Sequence, residues 1–270
     1  MITSASNSKI KFVSGLISSK KDRIAAKSFV VEGTKMFLEA PKDKIKEVYI
    51  SESFNERLCD GDEKKLSGTM LDVYLRLKDT GYEIVTDQLF KKMSDTVTPQ
   101  GILCVIGVKI NELDDVIDSL EGKTVRAIAL EGLQDPGNMG TIVRTAEAAG
   151  VNLILVSSNT VDVYSSKVVR STMGSIFRVP IVFTNYLYRD IDTLKEHGIS
   201  VYAAHLKGTH SYSEIKYSDR ALILIGNEGR GLTDEASNRA DALVKIPMQG
   251  QVESLNASVA AAILMFELGR

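Results

Sequence analysis

The sequence predicts an α/β protein of two layered units, the larger one a parallel sheet with helices on both faces. Two observations carry this. The second half alternates helical stretches with strands that read as nearly continuous apolar runs: Val125 to Leu130, Leu153 to Val156, Val201 to Ala204, Ala221 to Ile225 and Leu243 to Ile246. Strands without polar alternation are buried on both faces, as in a parallel sheet covered by helices. The first third alternates shorter strands and helices, which again argues for α/β layering. Between the two lies an acidic, turn-rich stretch, residues 111–122, holding Asp114, Asp115, Asp118 and Glu121. The expected division is therefore 1–108, a linker over 109–122 with room for a short helix, and 123–270.

In chain order, Ser8 to Leu16 suits a short helix, Phe29 to Glu32 a strand and Thr34 to Ala40 a helix. Val48 to Ile50 reads as a strand, Leu66 to Lys78 as a helix and Glu83 to Thr86 as a strand. Asp87 to Met93 suits a helix capped by Asp87, and Ile102 to Val108 an apolar strand. In the second unit, helices are expected over Met139 to Ala149, Ser166 to Gly174, Ile191 to His197, Thr233 to Asn238 and Ser254 to Leu268. On the first of these, about 100° per residue puts Met139, Ile142, Val143, Ala146 and Ala149 on one face, to pack on the sheet. Gly140, Arg144 and Ala148 share another face. The last helix is apolar nearly all round, so it is expected to be buried.

The totals bound the class. With 270 residues, 44% hydrophobic and 25% charged, the chain can bury a real core. A net charge of −2 neither demands nor excludes a polyanionic partner, because patches matter more than totals. Residues Lys9 to Lys27 form such a patch: Lys9, Lys11, Lys20, Lys21, Arg23 and Lys27 stand against one acidic residue, Asp22. It could neutralise RNA phosphates, or be a solvated, mobile terminus. Cys59 and Cys104 make no metal-ligand pattern, nor do His197, His205 and His210, so no metal is expected. A reduced, cytoplasmic protein is the natural reading. Met1 to Ile10 lacks the apolar segment of a signal peptide, and Ala257 to Phe266 is too short to span a bilayer, so no membrane role is expected.

In a doubly wound sheet, ligands gather at the carboxyl ends of strands, and three loops there are unusual. The first, "ALEGLQDPGNMGTIVRTAEAAG", places Asn138 at a helix mouth and Arg144 within the helix. Asn138 could be a plain N-cap and Arg144 a solvated arginine. The second, "LILIGNEGRGL", has glycines 226, 229 and 231 in a spacing that is neither a dinucleotide fingerprint nor a P-loop. Glycines after a buried strand permit tight turns and close backbone approach. Glu228 sits among them and could simply pair with Arg230. The third, "VKIPMQGQVESLNASVAAAILMFEL", puts Ser254, Asn256 and Ser258 into the first turn of the last helix. Ser254 could be an ordinary N-cap. Asn256 needs a partner, since an unpaired buried amide costs roughly 1–3 kcal/mol.

Taken together and in order, these three stretches resemble the signature motifs of the SpoU (TrmH-type) RNA ribose 2′-O-methyltransferases of the SPOUT superfamily. "YSSKVVRSTMGSIFRVP" resembles a fourth shared stretch, with Ser166 where the family usually has proline. "NSKIKFVSGL", "FVVEGTKMFLEA" and "TPQGILCVI" resemble the family's N-terminal substrate-binding domain, which has a ribosomal-protein-like RNA-binding fold. The resemblance covers nearly the whole chain.

It implies a deep trefoil knot in the C-terminal domain, S-adenosylmethionine as cofactor, and a homodimer with sites near the interface. Carried over residue by residue, it gives cofactor contacts at Leu224, Gly226, Ile246, Met248 and Leu255. Asn138, Arg144, Glu228, Ser254 and Asn256 become the polar residues of the reaction. The family's arginine is cast as a general base; guanidinium groups stay protonated, so a fixed cation stabilising phosphate and developing oxyanion is the alternative. The basic patch, with Lys167, Arg170 and Arg178 as a second set, becomes the RNA contact. The extra domain points to ribosomal rather than transfer RNA. The rival readings are a non-catalytic RNA-binding relative and a base-modifying methyltransferase of the wider superfamily.

Overall fold

A computed structural model describes residues 1–59 and 66–270. By packing, the chain falls into two units: Met1–Lys109 with Asp162–Phe177, and Ile110–Val161 with Arg178–Arg270. The stretch 162–177, expected within 123–270, thus packs with the first unit.

The first unit begins with α1 (Ser8–Ser18), α2 (Lys20–Ala26), β1 (Ser28–Glu32), α3 (Thr34–Glu39), β2 (Ile45–Ser51) and α4 (Glu52–Cys59). It continues with α5 (Thr69–Thr80), β3 (Glu83–Val85), α6 (Asp87–Met93) and β4 (Ile102–Gly107). The strand order is β1-β4-β2-β3, with β4 antiparallel to both neighbours and β2 parallel to β3. Ile10, Val13 and Leu16 of α1 recur on one helical face and pack with Val30, Tyr49, Leu103 and Val105. Asn7 caps α1 by accepting from Lys9 N at 2.9 Å, and Ser19 caps α2 by accepting from Asp22 N at 3.2 Å. The basic stretch is therefore helical rather than a loose terminus. Even Ile2 is tied down, donating its N–H to Ile84 O at 2.7 Å. Asp87 does not cap α6. Thr86 holds the cap position without a side-chain bond, and Asp87 Oδ1 accepts from Ser53 N (3.1 Å) and Oγ (2.8 Å). Cys104 is a buried free thiol whose burial pushes its pKa up; the side chain of Cys59 lies outside the described residues.

The chain goes on through α7 (Leu113–Ser119), β5 (Val125–Leu130), α8 (Pro136–Ala148), β6 (Leu153–Ser157), α9 (Ser166–Ser171), β7 (Ile181–Thr184) and α10 (Leu187–Glu196). Then follow β8 (Ser200–Ala204), β9 (His210–Ser211), β10 (Arg220–Ile225), α11 (Asp234–Arg239), β11 (Ala242–Lys245) and α12 (Ala257–Glu267). α9 belongs to the stretch that packs with the first unit. There Asp162 accepts from Arg23 Nη2 at 2.6 Å and Nε at 2.8 Å, and the ring of Tyr164 lies 4.7 Å from that of Phe29. Ser165, not Ser166, holds the N-cap position of α9.

The second unit holds a seven-stranded sheet, β7-β6-β5-β10-β8-β11-β9, every neighbouring pair parallel. The sequence reading missed β7 and β9, a short edge strand and a two-residue one. Ala127, Leu153, Leu222 and Val201 pack on one face with Val116 and Ile117 of α7 and with Ile191 and Leu194 of α10. The stretch expected as a linker thus contributes a core helix. Ile128, Ile154 and Ile223 are buried as well, and the period of two puts them on the other face. On α8 the expected face is buried: Met139, Ile142, Val143 and Ala146 are each 0% exposed. α12 packs against α8 and β10 through Ala261, Leu264 and Met265. It is not buried all round: Val259 is 46% exposed and Phe266 55%. A helix in an outer layer can bury only the stripe that faces inward.

Candidate active site

The site follows from strand order. β5 and β10 are neighbours with Leu130 opposite Ile225, so the loops leaving their carboxyl ends emerge side by side. Asp135 caps α8, accepting from Asn138 N at 2.8 Å, with Pro136 in the first turn, where its missing N–H costs nothing. Asn138 is therefore inside the helix and not its cap, and its amide is free for other work. Its Nδ2 donates to Glu228 Oε1 at 3.0 Å, and its Oδ1 accepts from Asn256 Nδ2 at 2.9 Å. Asn256 is the N-cap of α12, accepting at Oδ1 from Ser258 N (2.9 Å) and Ser258 Oγ (2.6 Å). Three loops thus meet in one chain of hydrogen bonds. Its direction is fixed, because an ionised carboxylate only accepts. Glu228 takes the amide N–H₂ of Asn138, which turns that side chain's oxygen to Asn256.

Glu228 also accepts from Gln134 N (3.0 Å) and Asp135 N (2.9 Å). Arg230 is not its partner; backbone donors of the β5 loop are. Burial alone would raise its pKa, but these donors and the Asn138 amide outweigh it and hold the carboxyl below its ordinary value. Ser254 is exposed and precedes α12, so it caps nothing. Ser258, which the sequence reading gave no role, joins the network instead. Asp135 was legible through "DP" before a helix, the signature of a cap followed by proline.

The other expected residues make no side-chain hydrogen bond within this network. Arg144 is exposed and makes no hydrogen bond or ion pair among the described residues. Six residues after Asn138 on α8, it is turned by about 240° from it. Leu224 is buried at 1% exposure, and Ile246, Met248 and Leu255 are half-buried. A Cβ on Gly226 would sit 2.2 Å from Gly231 C and Leu232 N, so only glycine fits there. Residues 247–255 form no backbone–backbone hydrogen bond among the described residues. Their N–H and C=O groups stand unpaired beside apolar side chains, the chemistry that reads the edge of a heteroaromatic ring.

Of the basic residues, Lys11, Lys20, Lys21 and Lys167 are exposed. Lys9 pairs with Glu83 at 2.5 Å and Arg170 with Asp95 at 3.2 Å, both partly open. Arg23 is removed from the RNA set: it is 7% exposed, and besides Asp162 it donates to Leu16 O and Ile17 O. Its charge closes the first unit instead. Arg178 pairs with Glu147. Among the described residues no cluster could hold a metal ion, and no helix is long and apolar enough to cross a membrane.

The pattern of the SpoU rRNA Methylase family matches residues 126–266, more than half of the chain. The chain belongs to the SpoU rRNA methylase family. Residues 7–104 match the MRM3-like substrate binding domain. Among relatives of this SpoU methyltransferase is the 23S rRNA (guanosine(2553)-2′-O)-methyltransferase RlmP of Bacillus subtilis. It is 33% identical over 99% of this chain and 98% of its own length. Among solved structures, an rRNA methyltransferase from Sinorhizobium meliloti superposes with a TM-score of 0.81 at 31% identity, over 99% of this chain and 96% of that one. The AdoMet-bound form of an rRNA methyltransferase from the same organism gives 0.80 at 30% identity, with the same coverage. In this SpoU methyltransferase the Glu228–Asn138–Asn256 network lies within the family match.

Proposed function

We propose that the chain transfers the methyl group of S-adenosylmethionine to a ribose 2′-hydroxyl of ribosomal RNA. The observation that carries this is the meeting of Glu228, Asn138 and Asn256 from three separate loops at the carboxyl edge of a parallel sheet. The relative named for guanosine 2553 of 23S rRNA makes that RNA the first to test.

Gly226 and the unpaired backbone of residues 247–255 would hold the adenine and methionine portions, with Leu224, Ile246, Met248 and Leu255 as the apolar cover. The bound sulfonium supplies an electrophilic methyl carbon. The chain's own residues position the other reactant. Asn138, held by Glu228 and Asn256, presents a fixed amide to the ribose. Arg144 brings a free cation to a phosphate or to the oxyanion that develops as the hydroxyl loses its proton. Ser254 lies exposed beside Leu255 and is assigned to the rim of the site.

The first unit is the RNA-binding module in this reading, with Lys9, Lys11, Lys20, Lys21, Lys167 and Arg170 facing phosphates; the second carries methyl transfer, and the cytoplasm is the expected compartment. A homodimer would cover Val259 and Phe266 on α12. A trefoil knot agrees with the packing of α12, the element after β11, against α8, and with a glycine at 208 whose Cβ would lie 2.8 Å from Val244 C. Sedimentation checks the dimer, with a monomer at micromolar concentration as the contrary result.

The direct test is incubation of the full chain with unmodified 23S rRNA transcript and radiolabelled cofactor, followed by mapping of alkali-resistant linkages. One resistant position is expected; label in a base, or none, refutes the reading. Arg144→Ala should lower kcat on the order of 10²–10³-fold and leave calorimetric cofactor affinity within twofold. Near-normal turnover in that variant removes Arg144 from the reaction.

A further inference from the structure

A second cleft, of ≈ 590 Å³, opens in the second unit at the carboxyl ends of β5, β6 and β7. None of the site residues above lines it. Glu131, Ser158, Asn159, Asn185, Tyr186 and Arg189 do. We propose that it holds an unpaired nucleobase of the RNA, next to the ribose that is methylated, by stacking on Tyr186. The inference rests on the RNA-methylation reading and adds a specificity site to it.

Tyr186 stands at the N-cap position of α10, 64% exposed, and lines the cleft. The Arg189 guanidinium lies 4.7 Å from the ring centroid and is itself 70% exposed. It covers one face of the ring and is held by Asp190 at 2.9 Å. The other face is left for a planar partner, and a cation at its rim suits the phosphate attached to a stacked base.

The carboxylates of the cleft are already engaged. Glu131, 6% exposed, accepts from Tyr188 Oη (2.8 Å), Thr233 N (2.9 Å) and Thr233 Oγ1 (2.9 Å). Asp192 and Glu235 both pair with Arg239, at 3.2 and 3.3 Å. Beside Arg189, two neutral side chains stand on the rim: Ser158 and Asn185 are exposed and form no side-chain hydrogen bond among the described residues. An amide and a hydroxyl beside an aromatic face are the groups that read base edges in single-stranded RNA. Of the two arginines that line the cleft, Arg239 is paired with Asp192 and Glu235, and Arg189 lies over the Tyr186 ring.

Its position joins it to the reaction. Gln134 donates Nε2 to Asn159 O at 2.7 Å, while its backbone N–H holds Glu228. One residue therefore bonds both to a lining residue of the cleft and to the Glu228 carboxylate of the Asn138 network. A base seated on Tyr186 is therefore joined through Asn159, Gln134 and Glu228 to the side chain that meets the ribose.

The chain contains no tryptophan, so Tyr186→Trp in the full-length protein gives an indole that reports this position alone. A mixed-sequence RNA hexamer is expected to quench its emission, while inorganic triphosphate and S-adenosylmethionine leave it unchanged. Tyr186→Ala should raise KM for the 23S transcript about tenfold and leave kcat and KM for the cofactor within twofold; Tyr186→Phe should restore the normal KM. Three results overturn the proposal: a silent indole at RNA levels that saturate methylation, quenching by the cofactor alone, or an unchanged KM in Tyr186→Ala. Wild-type protein that methylates no RNA sinks the parent reading instead, since methylation by the wild type is measured separately from the indole signal.

Discussion

At the scale of single residues, the site is a chain of polarity that starts at one carboxylate. Glu228 fixes the orientation of Asn138, and Asn138 that of Asn256. Replacing Asn138 by alanine leaves Glu228 one donor short and Asn256 without its acceptor. Expected is a fall in kcat with little change in cofactor affinity, read by single-turnover methyl transfer. The pKa of Glu228 is depressed in the folded chain. Its contribution to stability is present above the unfolded value and is lost as pH falls through the folded value. The stability gap between the wild type and Glu228→Gln, measured by urea unfolding, should therefore be constant through neutral pH and shrink below the ordinary carboxylate range. A gap that grows on acidification contradicts the assignment. The polar residues were legible from their motifs, and their bonding was not. Sequence offered Arg230 to Glu228 because it lies two positions away, whereas strand adjacency brings it the backbone of Gln134 and Asp135 from another loop.

At the scale of elements, the helix starts shift the roles. The expected start at Ser254 lies three residues before the observed one at Ala257. That shift turns Asn256 from a costly interior amide into a cap. Asn256→Ala should cost about 1 kcal/mol through the cap alone, and more if the bond to Asn138 is counted, as read from the urea midpoint. Gly226→Ala is expected to be harsher, because the new methyl meets backbone at 2.2 Å and nothing there can rotate away. Overpacking of this kind costs typically 1–3 kcal/mol, and a variant as stable as the wild type in urea would contradict the close approach of Gly226 to the Gly231–Leu232 backbone. The buried parallel strands were legible because unbroken apolar runs admit few other readings. β9 and α4 were not: two residues carry no period, and "ESFNERLC" is polar enough to pass for a loop. The exposure of Phe266 was also hidden, since apolar composition says that a surface can be covered and not what covers it.

At the scale of the whole molecule, sequence order and packing disagree in one place. Residues 162–177 lie inside the family match in sequence but pack with Met1–Lys109. Arg23 is the tie: it reaches Asp162 and two carbonyls of α1 with almost no exposure. Removing one partner of such a buried pair costs about 3–5 kcal/mol. Arg23→Ala should therefore lower the urea midpoint far more than Lys11→Ala or Lys20→Ala, whose losses should appear in RNA affinity and its salt dependence. Equal effects of the three substitutions on RNA binding, with no loss of stability for Arg23→Ala, would return Arg23 to the phosphate-binding set. A basic cluster in sequence does not tell which of its members face water, because one buried arginine and five exposed cations look alike there. The same detour of the chain matters while the protein is being made. The first unit cannot be completed when its own 109 residues leave the ribosome, since its last piece emerges only after the strands β5 and β6 of the next unit. For that interval the nascent polypeptide carries an unfinished apolar surface, the kind of stretch that chaperones shield during synthesis.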